Sequence, residues 1–587
     1  MVRKWIERIF SPARQSEKSS PTLQHNAVRS SLTEKDQGDA FMRGGDFTAA
    51  ADCYRRALEL NPNNAKAHNN LGFVQKELGQ LTDAERCFTF ALSIDPTIAD
   101  AHYGLGVVCQ SAGQFEAALK HFFQALELAS DFESAYLDAC LLLILQGRTV
   151  EATQLMQNGI RQNPTYANLH FYLANIYNEL EQLDLAIASF RQALSIQPDH
   201  AQALGNLGIV LLKKRDAKAA IEAFQMALAL DRNYVDAHNN LGNALLQFNR
   251  FDEAMASYRN GLEIDPGSER LIYNRGLLSL LLGDFESGWE DYEYRWYQTE
   301  QTARRDFHQP LWQNDAEISG RKILLHAEQG IGDALQFCRY VERVVALGAI
   351  VYLEVHPQIK SLLQLMPGVA AVVAMGEALP DFDYHCPFAS LPLAFHTSLA
   401  TIPAKIPYLN APIERVQHWE NYFHGYRFPR IGIVWSGGTM LKNDHNRSMK
   451  LEAFSQVVKN GEYRFFSLQK DVRAVDAPQL EKLPELNHLG PQLTDFVETA
   501  AAIANLDLVI SVDTSVAHLA GALGKPVWIL LPFSPDFRWL LDRADSPWYP
   551  SARLFRQSSI GDWNGVMQEL QVALNVQSGK FSLKTLT

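Results

Sequence analysis

The apolar and polar positions of this chain follow two regimes, and the change falls near residue 300. In the first regime small residues return every 34 positions. One ladder is Gly38, Gly72, Gly106, Cys140, Ala174, Gly208, Gly242 and Gly276. A second is Ala50, Ala84, Ala118, Ala152, Ala186, Ala220 and Ala254. A third closes each unit with Pro62, Pro96, Ser130, Pro164, Pro198, Arg232 and Pro266. The period predicts two helices per unit. Small residues let the two helices approach closely, and proline ends the second because it has no N–H to donate. One such pair cannot bury its own apolar face, so the units must stack into a solenoid with a long concave surface. An eighth unit begins at Asn274 and Gly276, then decays through Gly288 to Arg295 and Trp296, as a cap does.

From Arg321 the second regime begins. Short β-branched runs alternate with helical stretches: KILLH (322–326), IVYLEV (350–355), IGIVW (431–435), YRFFSL (463–468), LDLVISV (506–512) and VWILL (527–531). Strands alternating with helices predict parallel sheets of βαβ units. A period of 34 with these phases is the signature of the tetratricopeptide repeat. The expected layout is a disordered basic tail (1–30), seven repeats and a degenerate eighth (31–300), a polar junction (301–320), and an α/β region to the end.

Composition narrows the partners. At 587 residues the chain is too long for one core. A net charge of −13 argues against a nucleic-acid surface, which needs a basic stripe. The six cysteines form no CxxC pair and fit a reducing compartment, so a cytoplasmic location is expected. No run of about 18 apolar residues predicts a membrane span. The basic start MVRKWIERIF lacks an apolar core for a secretory signal, and peripheral membrane contact there stays open.

Three segments hold residues suited to chemistry. In HAEQGIGDALQF (326–337) a strand ends, Gly330 and Gly332 allow a tight turn, and Asp333 opens a helix. Glycines there let a substrate approach the backbone, although Asp333 also suits a helix cap. In LDLVISVDTSVAHLAGALGKPVWILL (506–531) a buried strand runs into Asp513, Thr514 and Ser515, with His518 one turn into the next helix. Exposed amides and hydroxyls at the carboxyl end of a strand make a site for a diphosphate. In WSGGTMLKNDHNRS (435–448), Gly437 and Gly438 open a loop, and Lys442 and Arg447 supply cations. No metal site is expected. Asp381-Phe382-Asp383 matches a metal-binding DxD only by a common spacing, and His68, His102, His170 and His238 sit one per repeat, too far apart for one ion.

Taken in order, these segments resemble the family 9 glycosyltransferases, best known as ADP-heptose–lipopolysaccharide heptosyltransferases. The resemblance rests on HAEQGIGDALQFCRY, KNDHNRS and SVDTSVAHLAGALGKPVWILLP and runs from about Arg321 to Leu574. It implies a GT-B fold of two Rossmann-like halves, an acceptor-side half (321–410) and a nucleotide-sugar half (429–575), with a linker (411–428) and a tail (576–587). It also implies metal-independent, inverting transfer of a hexose or heptose, with no cofactor beyond the nucleoside-diphosphate sugar. Asp333 then matches the catalytic base, with Glu328 as its rival. Asp513, Thr514, Ser515 and His518 match the diphosphate segment, Lys442 and Arg447 the cations beside the leaving group, and Gln469 and Lys470 the nucleoside site.

Two departures matter. Ser515 stands where the family usually has glycine, and the family lacks repeats. The layout is similar to O-GlcNAc transferase, which implies a protein or peptide acceptor on the concave face. Asn70, Asn206, Asn240 and Asn274 share the phase two residues before the glycine. They either bind peptide backbone or bridge adjacent repeats. The other readings are a non-catalytic scaffold with a degenerate transferase domain and a nucleotide-sugar epimerase of GT-B fold.

Overall fold

The computed structural model of the chain describes residues 21–297, 304–426, 429–438 and 444–584. It divides into two compact units at Leu230 and Asp231. The basic residues 1–20 lie outside the described part.

The first unit is a run of helices from Pro21–Arg43 to Ala217–Leu230. Its first helix starts within the tail expected to be disordered, at a proline whose fixed φ suits the first helical position. Helices end at Leu60, Ile94, Leu128, Gln162, Ile196 and Leu230, each two residues before the third ladder. The glycine ladder has a specific partner: the aromatic residue 16 positions on. A Cβ on Gly38 would lie 2.7 Å from Tyr54, on Gly72 2.8 Å from Phe88, on Gly106 2.5 Å from Phe122, and on Gly208 2.6 Å from Phe224. At these four positions the ring lies so close to the first helix's backbone that a side chain there would force it to shift. At the Cys140 and Ala174 phases the facing residues are Met156 and Phe190, both fully buried. The repeated histidines also have a local use. His68 Nε2 lies 2.9 Å from the Pro62 carbonyl oxygen and His170 Nε2 lies 3.2 Å from that of Pro164, so each ring ties down the turn before its own helix.

The second unit opens with the helices Val235–Leu246, Phe251–Ile264, Glu269–Leu282 and Phe285–Tyr292, then a 3-10 turn, Glu293–Tyr297. Two parallel sheets follow. The first contains β1 (Lys322–His326), β2 (Ile350–Val355), β3 (Val369–Ala374) and β4 (Tyr384–Pro387), in the order β3-β2-β1-β4. The second contains β5 (Arg430–Val434), β6 (Arg464–Ser467), β7 (Leu486–His488), β8 (Leu508–Val512), β9 (Val527–Leu531) and β10 (Ala552–Arg556), in the order β10-β9-β8-β5-β6-β7. This is the layout of a GT-B-like domain. β8 and β9 are buried at every position, as strands covered on both faces must be. Strand order reverses between β1 and β4 and between β5 and β8. Open α/β sheets bind ligands at the carboxyl ends of strands at such points.

The decayed last repeat is more than a cap. Trp289 packs edge-on against Phe337 of the first half, and against Phe537 and Trp548 of the second. Its indole N–H donates to the Thr397 carbonyl at 3.0 Å. Arg295, 2% exposed, donates to Glu293 at 2.6 Å, to Glu328 at 3.1 Å and to the Ser390 hydroxyl at 2.7 Å. The DxD has an ordinary explanation. The Asp383 carboxylate accepts the Lys322 N–H at 2.9 Å and so fixes the start of β1.

Candidate functional site

The two halves meet at the carboxyl ends of β1 and β8. After β1 the chain turns through Gly330 into the helix Ile331–Phe337, where Asp333 Oδ2 accepts the Gly330 N–H at 2.9 Å. After β8, Asp513 leads through Thr514 into the helix Ser515–Ala522. A Cβ on Gly332 would lie 3.1 Å from His518 Cδ2 and 3.7 Å from Ser515 Cα. Gly332 therefore serves the close approach of the two segments. Thr514 holds the N-cap position without a side-chain bond to its helix, and its hydroxyl lies 3.0 Å from that of Ser511.

His518 is not a cation. Burial and the nearby guanidinium groups of Arg538, Arg339 and Arg447 hold its pKa well below the usual value. Its Nδ1 lies 2.9 Å from the Tyr549 hydroxyl, its Nε2 3.8 Å from Asp513 Oδ1, and its ring stacks on Trp539 at 5.4 Å. Burial, aided by the charge of Asp536, pushes the Asp513 carboxyl up to about 6. Arg447 donates to the Asp513 backbone carbonyl at 2.9 Å, which joins the glycine loop after β5 to the segment after β8. Gln469 Oε1 accepts the Ser436 N–H at 3.2 Å, beside the same loop, and Lys470 reaches the Thr494 carbonyl at 2.9 Å. Lys442 lies outside the described residues.

Two arginines here carry no local signal in the sequence. Arg473 donates to Asp444, to the Gly437 carbonyl and to Ser448, and so fixes the loop that carries Arg447. Arg538 pairs with Asp333 and Asp536. The contact between Arg538 and Asp333 spans 205 positions, so only the fold brings them together. Glu328, the rival base, is bonded to Arg295. Its carboxylate also accepts the Ala389 N–H at 3.1 Å, and burial pushes its pKa up to about 7.

Of the asparagines, Asn70 donates to Asp39 at 2.8 Å, Asn206 to Asn175 at 2.8 Å and Asn274 to Asn239 at 2.8 Å, each reaching the preceding repeat. Asn240 accepts from Asn239 at 3.1 Å. Three of the four thus reach the preceding repeat, while the Asn240 contact is with its neighbour in the same helix. No group of three or more potential metal ligands occurs among the described residues, and no described helix is long and apolar enough to cross a membrane.

Near the site, His326 Nε2 lies 3.3 Å from His385 Nδ1, both rings buried. Burial and the charges of Arg304 and Arg305 lower His385 to about 4, and His326 lies well below its usual value. Folded-state values below the unfolded value mean that this stability is present above about pH 6.5 and lost as pH falls toward about 4. Urea denaturation at pH 7 and pH 4.5 should show a loss on the order of 1–3 kcal/mol from this pair. His385→Phe should flatten that part of the profile.

Comparisons with known proteins agree with this division. Tetratricopeptide repeat models match residues 38–79, 65–98, 99–132, 165–233 and 206–269. The model described as glycosyltransferase family 9 (heptosyltransferase) matches residues 456–536, which hold Gln469, Asp513 and His518 but not Asp333 or Arg447. Protein FlbA of Caulobacter vibrioides is 25% identical over 477 residues, 76% of this chain and 73% of its own. Protein O-mannosyl-transferase Tmtc3 of Drosophila melanogaster is 35% identical over 99 residues, 16% of this chain and 11% of its own. Among solved structures, YrrB, titled a TPR protein with an unusual peptide-binding site, is 22% identical, with a TM-score of 0.28, 32% of this chain covered and 96% of its own. The C-terminal part of a TPR repeat-containing protein from Cytophaga hutchinsonii is 16% identical, with a TM-score of 0.35, 41% of this chain covered and 98% of its own.

Proposed function

We propose that this chain, which carries tetratricopeptide repeats in its N-terminal part and a glycosyltransferase family 9 domain near its C-terminus, moves a sugar from a nucleoside-diphosphate sugar to an acceptor hydroxyl. The observation that carries this reading is the approach of the Asp333 turn to the Ser515–Ala522 helix, where two parallel sheets turn their carboxyl ends to each other. The acceptor oxygen attacks the anomeric carbon, and its proton passes to the Asp333 carboxylate. The bond from that carbon to the diphosphate oxygen breaks, and the electron pair leaves with the diphosphate. One displacement inverts the anomeric centre. Gly330 N–H and Arg538 already hold Asp333, yet each carboxylate oxygen keeps a further lone pair for the acceptor. His518, neutral, serves as a hydrogen bonder to the donor rather than as a charge.

The leaving diphosphate is stabilised by the first amides of the Ser515–Ala522 helix and by Arg447, without a metal ion. The repeats recruit a protein acceptor. Their presence in one chain with a transferase domain supports this, as does the short stretch shared with a protein O-mannosyl-transferase. Calorimetry with UDP, ADP and GDP tests the donor half. At least one should bind, and equally well with EDTA present. No binding by any of the three refutes the reading, and loss of binding in EDTA refutes metal independence.

A further inference from the structure

We infer that Arg538 is the cation that an incoming nucleoside diphosphate draws away from Asp333, so that the donor itself frees the base. The inference rests on the donor site proposed above. Arg538 lies on the 3-10 turn Phe537–Trp539, which follows β9, and is 7% exposed. Each nitrogen of its guanidinium has a partner: Nε donates to Gln336 at 2.6 Å, Nη1 to Asp536 at 2.7 Å, and Nη2 to Asp333. Two of these partners, Gln336 and Asp333, belong to the opposite half. The turn is seated against the donor segment, because the next residue, Trp539, stacks on His518.

Charge favours the exchange. Asp333, Asp513 and Asp536 gather around this point, and a diphosphate adds further negative charge. Arg447, assigned above to the leaving diphosphate, brings one positive charge and is itself tied to neighbouring groups, so a second cation is needed. Arg447 holds the Asp513 carbonyl and the Asp444 carboxylate, and Arg473 holds Asp444. A guanidinium forms forked bonds to phosphate as readily as to carboxylate. If Nη2 turns to the diphosphate, Oδ1 of Asp333 loses its cation and is open to the acceptor hydroxyl. Arg538 is thus a positioning residue for Asp333 as well as a ligand of the donor.

Competition has a distinctive signature. In the full chain, Asp333→Asn should tighten binding of whichever of UDP, ADP or GDP the wild type binds, by roughly tenfold, equivalent to about 1.4 kcal/mol. Arg538→Met should weaken it by at least as much, and Arg538→Lys should restore most of the loss. In the Arg538→Met background, Asp333→Asn should bring no tightening. Circular dichroism checks that each variant is folded. If Arg538→Met is not, Asp333→Asn and Arg538→Lys decide the matter. Unchanged or weaker binding by Asp333→Asn, with a wild type that binds, overturns the inference and leaves the donor site standing. A wild type that binds none of the three removes the donor site, and this inference with it.

Discussion

Replacing Asp333 with asparagine is expected to cut sugar transfer by roughly 10²–10⁴-fold, the usual contribution of a positioned base. Asparagine keeps the shape and still accepts the Gly330 N–H, so the turn should survive. What it loses is an oxygen able to take the acceptor's proton as positive charge develops on the sugar. Single-turnover rates with donor saturating isolate this step from binding. The informative control is Glu328→Gln. Glu328 is buried and bonded to Arg295 and the Ala389 N–H, so its amide should leave the rate of folded enzyme near normal. If Glu328→Gln abolishes turnover while Asp333→Asn does not, the base has been assigned to the wrong carboxylate. If Asp333→Asn unfolds the domain, that residue was a cap.

Arg295→Met should destabilise the second unit by about 3–5 kcal/mol, the usual consequence of removing one partner from a buried ion pair. The guanidinium compensates Glu328 and Glu293, and Glu328 is only 6% exposed at its side chain. Without it, a carboxylate already pushed up to about 7 must stay buried alone or take a proton. Pairing Arg295→Met with Glu328→Gln should recover a substantial part of the loss, because the stranded charge is then gone. Urea denaturation followed by tryptophan fluorescence reads this, since Trp289 and Trp548 sit close by. A loss below about 1 kcal/mol would mean that water reaches the pair and the burial is incomplete.

The repeats were legible because their period is strict and their physics local. A glycine that must meet a ring 16 residues later, and a helix that must stop before proline, leave marks at fixed spacing. The central strands were legible for the same reason: β1, β2 and β9 coincide with the apolar runs KILLH, IVYLEV and VWILL. The outer strands were not. β3 is rich in alanine with Ala370 and Ala371 exposed, β7 has three residues, and β10 has arginine at two of its five positions. The run of β3, VAAVVA, is half alanine, which is depleted in strands, and β7 and β10 carry no apolar run of four residues. At the site, glycine turns and the DTS segment carry local signals. Arg538 and Arg473 carry none, because their partners are chosen by tertiary packing and any arginine in a loop looks alike in sequence.

Trp289 has a bearing on how such a chain can change over time. Upstream of Asp231 each repeat meets its neighbours through the same small set of phases, so a 34-residue segment can be gained or lost without altering the register. The last repeat has no such freedom. Its tryptophan is keyed to Phe337, Phe537 and Trp548 together, and its arginine to Glu328. Gene fusion at residue 300 would cut through that interlock and expose an aromatic face on both products. A break at 231 would carry the interlock whole. The heritable unit of the transferase is therefore longer than its sheets, and it takes its final repeats with it.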